Sequence, residues 1–254
     1  MSAVCLAFAN QKGGVGKTTS VVNIAAQLGK NGKKVLLMDM DPQGNATSAL
    51  GVAKKSVRIS SYQVLIGEAT AEEAVMDTGF KNLFLIPSTI SLVGAEFDLH
   101  TSDERGKNAA VALQPIRDRY DFILIDCPPT LGLLTLNGLA AADGVVIPMP
   151  CDFFSLEGLS QLTLTVKKVR QLYNPGLEIT GLLLTMYNKR LLLTAQVEGE
   201  LQKYYADKLF RTTISRSVKL AEAPGYGQPI CYFDPYGKGS LEYRELVKEL
   251  LLRV

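Results

Sequence analysis

The stretch Ala3-Val4-Cys5-Leu6-Ala7-Phe8-Ala9, continued by Asn10-Gln11-Lys12-Gly13-Gly14-Val15-Gly16-Lys17-Thr18-Thr19, decides the fold. Its first half is a short apolar run suited to a buried strand. Its second half carries three glycines, which let the backbone turn N–H groups inward around a polyphosphate. Lys17 is placed to reach β- and γ-oxygens, and the Thr18 hydroxyl to ligate Mg²⁺. Beyond the loop, Val21, Ile24, Ala25 and Leu28 recur at helical spacing, and Asn31-Gly32 ends that helix. Strand, glycine loop and helix in this order set an anion at a helix N-terminus. The loop is a variant. The pattern G-x-x-x-x-G-K-[ST] needs glycine where this chain has Gln11, and a second lysine, Lys12, sits five residues before Lys17.

Outward from this unit, apolar runs at 35–38, 83–86, 122–125, 145–147 and 179–186 alternate with helical periodicity at 104–119, 155–173 and 193–206. That alternation predicts an α/β fold, a mostly parallel twisted sheet flanked by helices on both faces. Residues 1–254 read as one domain, with no internal repeat or linker. The glycine and proline clusters at 127–132, 224–229 and 234–239 read as loops within it. The 254 residues, 47% apolar and 20% charged, are enough for one large core.

Bulk properties exclude several classes. The net charge is only +2, so any nucleic-acid binding must come from a local patch. Cys5, Cys127, Cys151 and Cys231 form no C-x-x-C pair, which argues against a structural zinc or a disulfide framework. Cys5 and Cys127 sit on or beside apolar strands and read as core fillers. One histidine, His100, rules out His-based triads and multi-histidine metal sites; it reads as a surface or capping residue. The N-terminus has no basic region before the loop, unlike a signal peptide. No apolar stretch reaches the roughly 18 residues that span a bilayer. A cytoplasmic setting follows.

Two acidic segments follow predicted strands. One is Met38-Asp39-Met40-Asp41-Pro42-Gln43-Gly44-Asn45; the other ends Ile123-Leu124-Ile125-Asp126. In a parallel sheet both strand ends open onto the edge that carries the loop. Asp126 has the form of the acid that holds the Mg²⁺ shell in loop-type nucleotidases, and Asp41 lies within reach of a γ-phosphate, where it could orient a water. The alternative is that Asp39 or Asp41 is a turn or capping residue, since Asp-Pro-Gln-Gly is a good turn.

Lys12–Thr19, Asp39–Asn45 and Asp126-Cys127-Pro128-Pro129 resemble the three nucleotide motifs of the ParA family of DNA-partitioning ATPases, with the deviant Walker A loop. The likeness continues at Pro148-Met149-Pro150-Cys151, at Leu184-Thr185-Met186-Tyr187-Asn188, and from Ser215 to Pro224. It covers essentially the whole chain and is nearest the short chromosomal type, also called Soj, which has no N-terminal helix-turn-helix extension.

The resemblance implies roles. ATP and Mg²⁺ are the expected cofactors, cradled by Gln11, Lys12, Gly13, Gly14, Val15, Gly16, Lys17, Thr18 and Thr19. Lys17 neutralises the β/γ-phosphates, Thr18 binds Mg²⁺, and Asp126 joins its shell through water. Lys12 matches the signature lysine that crosses a dimer interface to the partner's nucleotide, so that dimerisation depends on ATP. Asp41 matches the residue that positions the attacking water. Asn188 lies where the family contacts adenine, although many members carry aspartate there, and Arg216 is placed with the nucleotide contacts. Arg190, Arg216 and Lys219 resemble the residues that hold double-stranded DNA without sequence preference, and Lys167, Lys168 and Arg170 extend that patch. An ATP-bound homodimer on the nucleoid, with a ParB-like partner and a chromosome or plasmid as cargo, follows by resemblance.

A MinD-like membrane-surface ATPase shares these motifs, and related ATPases position other cargoes. Leu246, Val247, Leu250, Leu251 and Val254 form a helical stripe whose opposite face is charge-neutral, whereas a membrane-targeting helix should be basic. A nitrogenase-like iron protein would need cysteines set in cluster-binding loops, and Cys127 has no suitable mate. A non-catalytic nucleotide switch is disfavoured by the intact Lys17, Thr18, Asp41 and Asp126.

Overall fold

The computed structural model describes residues 2–99 and 106–254. His100 and the first residues of the helix expected over 104–119 lie outside the described residues.

Seven strands form one sheet: β1 (Val4–Phe8), β2 (Val35–Asp39), β3 (Met76–Asp77), β4 (Leu83–Ile86), β5 (Phe122–Asp126), β6 (Gly144–Pro150) and β7 (Glu178–Thr185). Their order is β3-β4-β2-β5-β1-β6-β7, and every pairing is parallel except the short antiparallel β3–β4 edge. Alternation along each strand sends side chains to two apolar layers. Cys5, Ala7, Leu36, Met38, Ile123 and Ile125 face one layer. Leu6, Phe8, Val35, Leu37, Phe122 and Leu124 face the other. Both layers need a cover of helices, because both faces of a parallel sheet are apolar.

The helices are α1 (Lys17–Lys30), α2 (Asn45–Ala49), α3 (Ser61–Ile66), α4 (Ala71–Ala74), α5 (Ala95–Asp98), α6 (Asn108–Leu113), α7 (Leu133–Ala141), α8 (Phe153–Leu172), α9 (Leu192–Tyr205), α10 (Val218–Glu222), α11 (Ile230–Phe233) and α12 (Lys238–Leu250). α1, α11 and α12 cover the Leu6/Phe8 face. α6, α7, α8 and α9 cover the Cys5/Ala7 face. Most of the C-terminal stripe is spent in this packing: Leu246, Val247 and Leu250 are fully buried and α12 lies along α1, whereas α12 ends at Leu250, leaving Leu251 half-buried and Val254 exposed beyond it. Cys5 and Cys127 are core residues, as expected.

Two expected elements differ in extent. The helix over 104–119 is α6 followed by a 3-10 segment at Gln114–Arg119. Pro115 lacks an N–H and its ring crowds the preceding turn, so α-geometry stops there. The strand expected at 145–147 runs through two prolines to Pro150. β1 pairs with β6 only as far as Phe8 opposite Val146, so Pro148 and Pro150 have β7 alone as a strand partner. Their missing N–H groups leave no ladder position vacant.

Candidate nucleotide site

Four strand ends converge where the glycine loop leaves β1. β2 ends at Asp39, β5 at Asp126, β6 at Pro150 and β7 at Thr185. This is the carboxyl edge of the sheet, where ligands of open α/β folds bind. A cavity of about 660 Å³ opens there. Gly13, Gly14, Gly16, Lys17, Thr18 and Thr19 line one wall, and Asp41, Met186, Arg216 and Pro224 contribute elsewhere.

Backbone geometry and hydrogen bonds from distant residues set the shape of the loop. Gly14 and Gly16 sit at φ +71° and +84°, a left-handed backbone that favours glycine. Gly16 is the N-cap of α1 and supplies no side-chain cap, which leaves the first N–H groups of the helix facing the cavity. Asn10, 5% exposed, pins the loop's start: its Oδ1 accepts from the Lys12 N–H at 3.0 Å and its Nδ2 donates to the Pro148 carbonyl at 2.9 Å. The Thr185 hydroxyl donates to the Val15 carbonyl at 2.8 Å and fixes the loop's crown. Val15 points into the core.

Lys17 is buried, and its Nζ donates to the Lys12 carbonyl at 3.2 Å. Burial lowers its pKa, and the carboxylates of Asp126 and Asp41 pull the other way. The three acids divide sharply. Asp39 is fully buried: Oδ1 accepts from the Asp41 N–H at 3.1 Å, and Oδ2 accepts the Thr47 N–H at 2.8 Å and the Thr47 hydroxyl at 2.7 Å. Burial pushes its carboxyl up to about 6, against those hydrogen bonds. Asp126 is also fully buried, but neither of its oxygens has a hydrogen-bond partner among the described residues. Desolvation, with Asp39 beside it, holds its carboxyl well above the ordinary range; Thr18 and Lys17 only soften the rise. Asp41 lines the cavity, with Oδ1 accepting from the Gln43 N–H at 2.9 Å.

A buried carboxylate with two unmatched oxygens, beside a threonine hydroxyl and a phosphate loop, is a fitting place for a hard divalent cation. Oxygen donors and a lysine-lined anion cradle suit Mg²⁺ bound together with a polyphosphate.

The remaining expected residues fall in different places. Gln11 and Lys12 lie across the loop, in a separate hollow with Pro129, Phe154 and Gln161. There the Lys12 Nζ is paired with Asp152 at 2.5 Å. Burial works against the charge on Asp152, but hydrogen bonds from Lys12 and Ser155 hold its pKa low. Asn188 is exposed, accepts from the Arg190 N–H at 3.1 Å, and is not among the residues lining the cavity. Arg190 is exposed; Lys219 is exposed too but paired with Glu222 at 3.0 Å. Lys167, Lys168 and Arg170 are exposed on α8. Cys127 is fully buried beneath α7 and does not reach a surface where two copies could share a cluster.

Sequence reasoning missed Asn10, Thr47, Asp152 and Thr185. Asn10 and Thr185 stood inside or beside quoted motifs, but their partners are 138 and 170 residues away. No local pattern marks such contacts.

A glycine loop capping α1 on the carboxyl edge of a parallel sheet, with a buried lysine and acids at the neighbouring strand ends, defines a P-loop nucleotide-binding protein. The AAA domain family matches residues 3–179. The sporulation initiation inhibitor protein Soj of Bacillus subtilis is 48% identical, covering 96% of this chain and 97% of that one. The chromosome-partitioning ATPase Soj of Treponema pallidum is 47% identical, covering 98% and 97%. Cobyrinic acid a,c-diamide synthase of Mycobacterium smegmatis, solved with ADP and magnesium, superposes with a TM-score of 0.86 at 35% identity, covering 98% of this chain and 94% of that one. The chain belongs to the ParA/Soj family of partitioning ATPases. ATP hydrolysis is the reaction of this family, with ATP and Mg²⁺ as its cofactor pair.

Proposed function

We infer that residues 1–254 form one ATPase domain that dimerises on binding ATP, holds double-stranded DNA without sequence preference, and segregates a chromosome or plasmid with a ParB-like partner. The observation that carries this reading is the position of Lys12. Its side chain, 41% exposed, lines the adjoining hollow and not the cavity of its own loop. A lysine turned outward beside the phosphate loop serves a second copy's nucleotide better than its own. ATP brings roughly four negative charges, and two facing copies would repel without such cations.

Within each copy the residues that line the cavity support a division of labour. The N–H groups of Gly13 to Thr19 and the Lys17 ammonium hold the phosphates. Thr18 and Asp126 hold the cation, Asp126 through water. Held by Thr18 and Asp126, Mg²⁺ would supply charge neutralisation for the phosphates. Asp41, on the cavity wall, orients the attacking water, and no covalent intermediate is needed. Arg216 faces the same cavity, whereas Asn188 needs a rearrangement of its Arg190 contact to touch a base.

DNA residence on the nucleoid follows from Arg190, Arg216 and Lys219. With about three phosphate contacts per copy, the salt slope would be about −2.7 for a monomer and about −5.4 for a dimer. A membrane-surface role is not favoured, because Leu246, Val247 and Leu250 of α12 are buried against the domain. No helix among the described residues is long and apolar enough to cross a membrane.

The deciding experiment is size-exclusion chromatography of Asp41→Ala with ATP, with ADP and without nucleotide, followed by DNA binding of each fraction. A dimer with ATP alone, retaining DNA, is expected. Monomers throughout would overturn the reading.

A further inference from the structure

The segment between α9 and α10 runs beside the outer edge of β7 and meets it through two isolated bridges, Leu182–Leu209 and Tyr187–Ser215. On one side it pairs with β7: the Phe210 N–H donates to the Leu182 carbonyl at 3.0 Å, Ile214 N–H to Leu184 at 2.9 Å, and Tyr187 N–H to Ile214 at 2.9 Å. On the other side it bonds to side chains of a helix. Glu249 of α12 accepts from the N–H groups of Arg211 and Thr212, each at 2.9 Å. Glu242, two turns earlier on the same helix, accepts the Ser215 N–H at 2.9 Å and the Ser215 hydroxyl at 2.5 Å. Two carboxylates thus receive backbone N–H groups that no strand among the described residues takes. Hydrogen bonds to charged acceptors are the stronger kind.

The Glu242 contact sits at a junction. Ser215, Arg216 and Ser217 line the nucleotide cavity, and Lys219 follows on α10. The residue after Glu242 is Tyr243, which also lines the cavity and whose hydroxyl lies 3.2 Å from the Ser20 hydroxyl on α1. α1 is the helix that the phosphate loop begins. One turn of α12 therefore touches the loop's helix on one side and the base of the Arg216–Lys219 segment on the other. The Glu242 side chain is 16% exposed, with Lys238 at 3.6 Å as its only ion-pair partner among the described residues.

We propose that Glu242 is a positioning residue that ties the DNA affinity of the 215–219 segment to the nucleotide in the cavity. It touches neither nucleotide nor DNA. It holds Ser215 so that Arg216 faces the cavity, and α12 carries any shift of α1 to that segment. The proposal rests on the DNA-binding reading above.

The test is DNA affinity with ATP and with ADP, measured as a ratio for four full-length proteins: wild type, Glu242→Ala, Glu242→Gln and Glu249→Ala. Glu242→Ala is expected to lower the ratio about tenfold, within the usual range of coupling between sites. Glu242→Gln keeps one acceptor and the side-chain shape, so it is expected to restore most of the ratio. Glu249→Ala removes acceptors from the same segment farther from the cavity; it is expected to lower the melting temperature and leave the ratio alone. A wild type that binds no DNA in either state would sink the DNA-binding reading itself, and a wild-type ratio of one would leave Glu242 nothing to couple. A high wild-type ratio retained by Glu242→Ala, or lost equally in Glu249→Ala, would overturn the role of Glu242 alone.

Discussion

Asp39 and Asp126 are register partners at the ends of adjacent parallel strands, both wholly out of solvent. Their surroundings differ completely. Asp39 accepts three hydrogen bonds, two from Thr47 at the start of α2 and one from the Asp41 backbone. Asp126 accepts none among the described residues. One acid is a fastener between β2 and α2; its neighbour lies under the influence of Lys17 and Thr18 of the phosphate loop's end. Two carboxyls this close disfavour each other's ionisation, which a bound cation would relieve.

Asp126→Asn is therefore expected to separate stability from catalysis. Removing one of two adjacent buried acids should raise the melting temperature of the nucleotide-free protein. ATP turnover should fall by at least about 10²-fold, since the cation loses its anchor. Differential scanning fluorimetry in EDTA and a phosphate-release assay report the two effects. A lower melting temperature would show that Asp126 is structural.

The Asp39 shift sets a pH dependence whose sign is unusual for an acid. Its carboxyl moves from 3.8 unfolded to about 6 folded, so the native state binds the proton more tightly. The stabilising contribution is full below pH 4 and is lost as pH rises toward 6, on the order of 3 kcal/mol in all. Urea unfolding of wild type and Asp39→Asn in EDTA isolates the effect. The variant should gain on wild type between pH 4 and pH 6 and hold that gain to pH 8. A difference that stays constant over this range would exclude the shift.

Thr47→Val keeps the shape of the side chain and removes its hydroxyl. That hydroxyl donates to Asp39 and accepts from the Ser88 N–H at 2.9 Å. Leaving both groups short of a partner in the core is expected to cost about 1–3 kcal/mol. Chemical denaturation measures it. Wild-type stability in the variant would mean the fastener between β2 and α2 is dispensable.

The Lys12–Asp152 pair keeps the outward lysine occupied. Both side chains are over a third exposed, so the pair is worth about 0–1 kcal/mol. Asp152→Asn leaves a good N-cap residue for α8 and frees the lysine. ATP-dependent dimerisation should then occur at protein concentrations up to about fivefold lower. Light scattering across a dilution series checks this; a shift to higher concentration would mean that Asp152 helps the dimer form.

Much of the fold was legible in the chain because its signals are local. The glycine loop between an apolar run and an amphipathic helix, and the run ending at Asp126, need only neighbours in sequence to be read. The strand at 83–86 and the buried stripe of α12 were legible for the same reason. The short elements were not: β3, α2, α4 and α11 have two to five residues each, too few for a period to repeat. Pro115 carried a local signal that helical periodicity outweighed.

The sequence by itself determined the loop, its two lysines, the parallel sheet and the candidates Asp39, Asp41 and Asp126, since each follows from residue type and spacing along the chain. Only the tertiary structure decided what each does. It made Asp39 a fastener through Thr47, left Asp126 with no hydrogen bond from the described residues, turned Lys12 toward Asp152, and set Glu242 against Ser215. The reason is physical: the burial and hydrogen bonding that separate a structural acid from an open one come from residues brought together by folding, and no stretch of chain contains them.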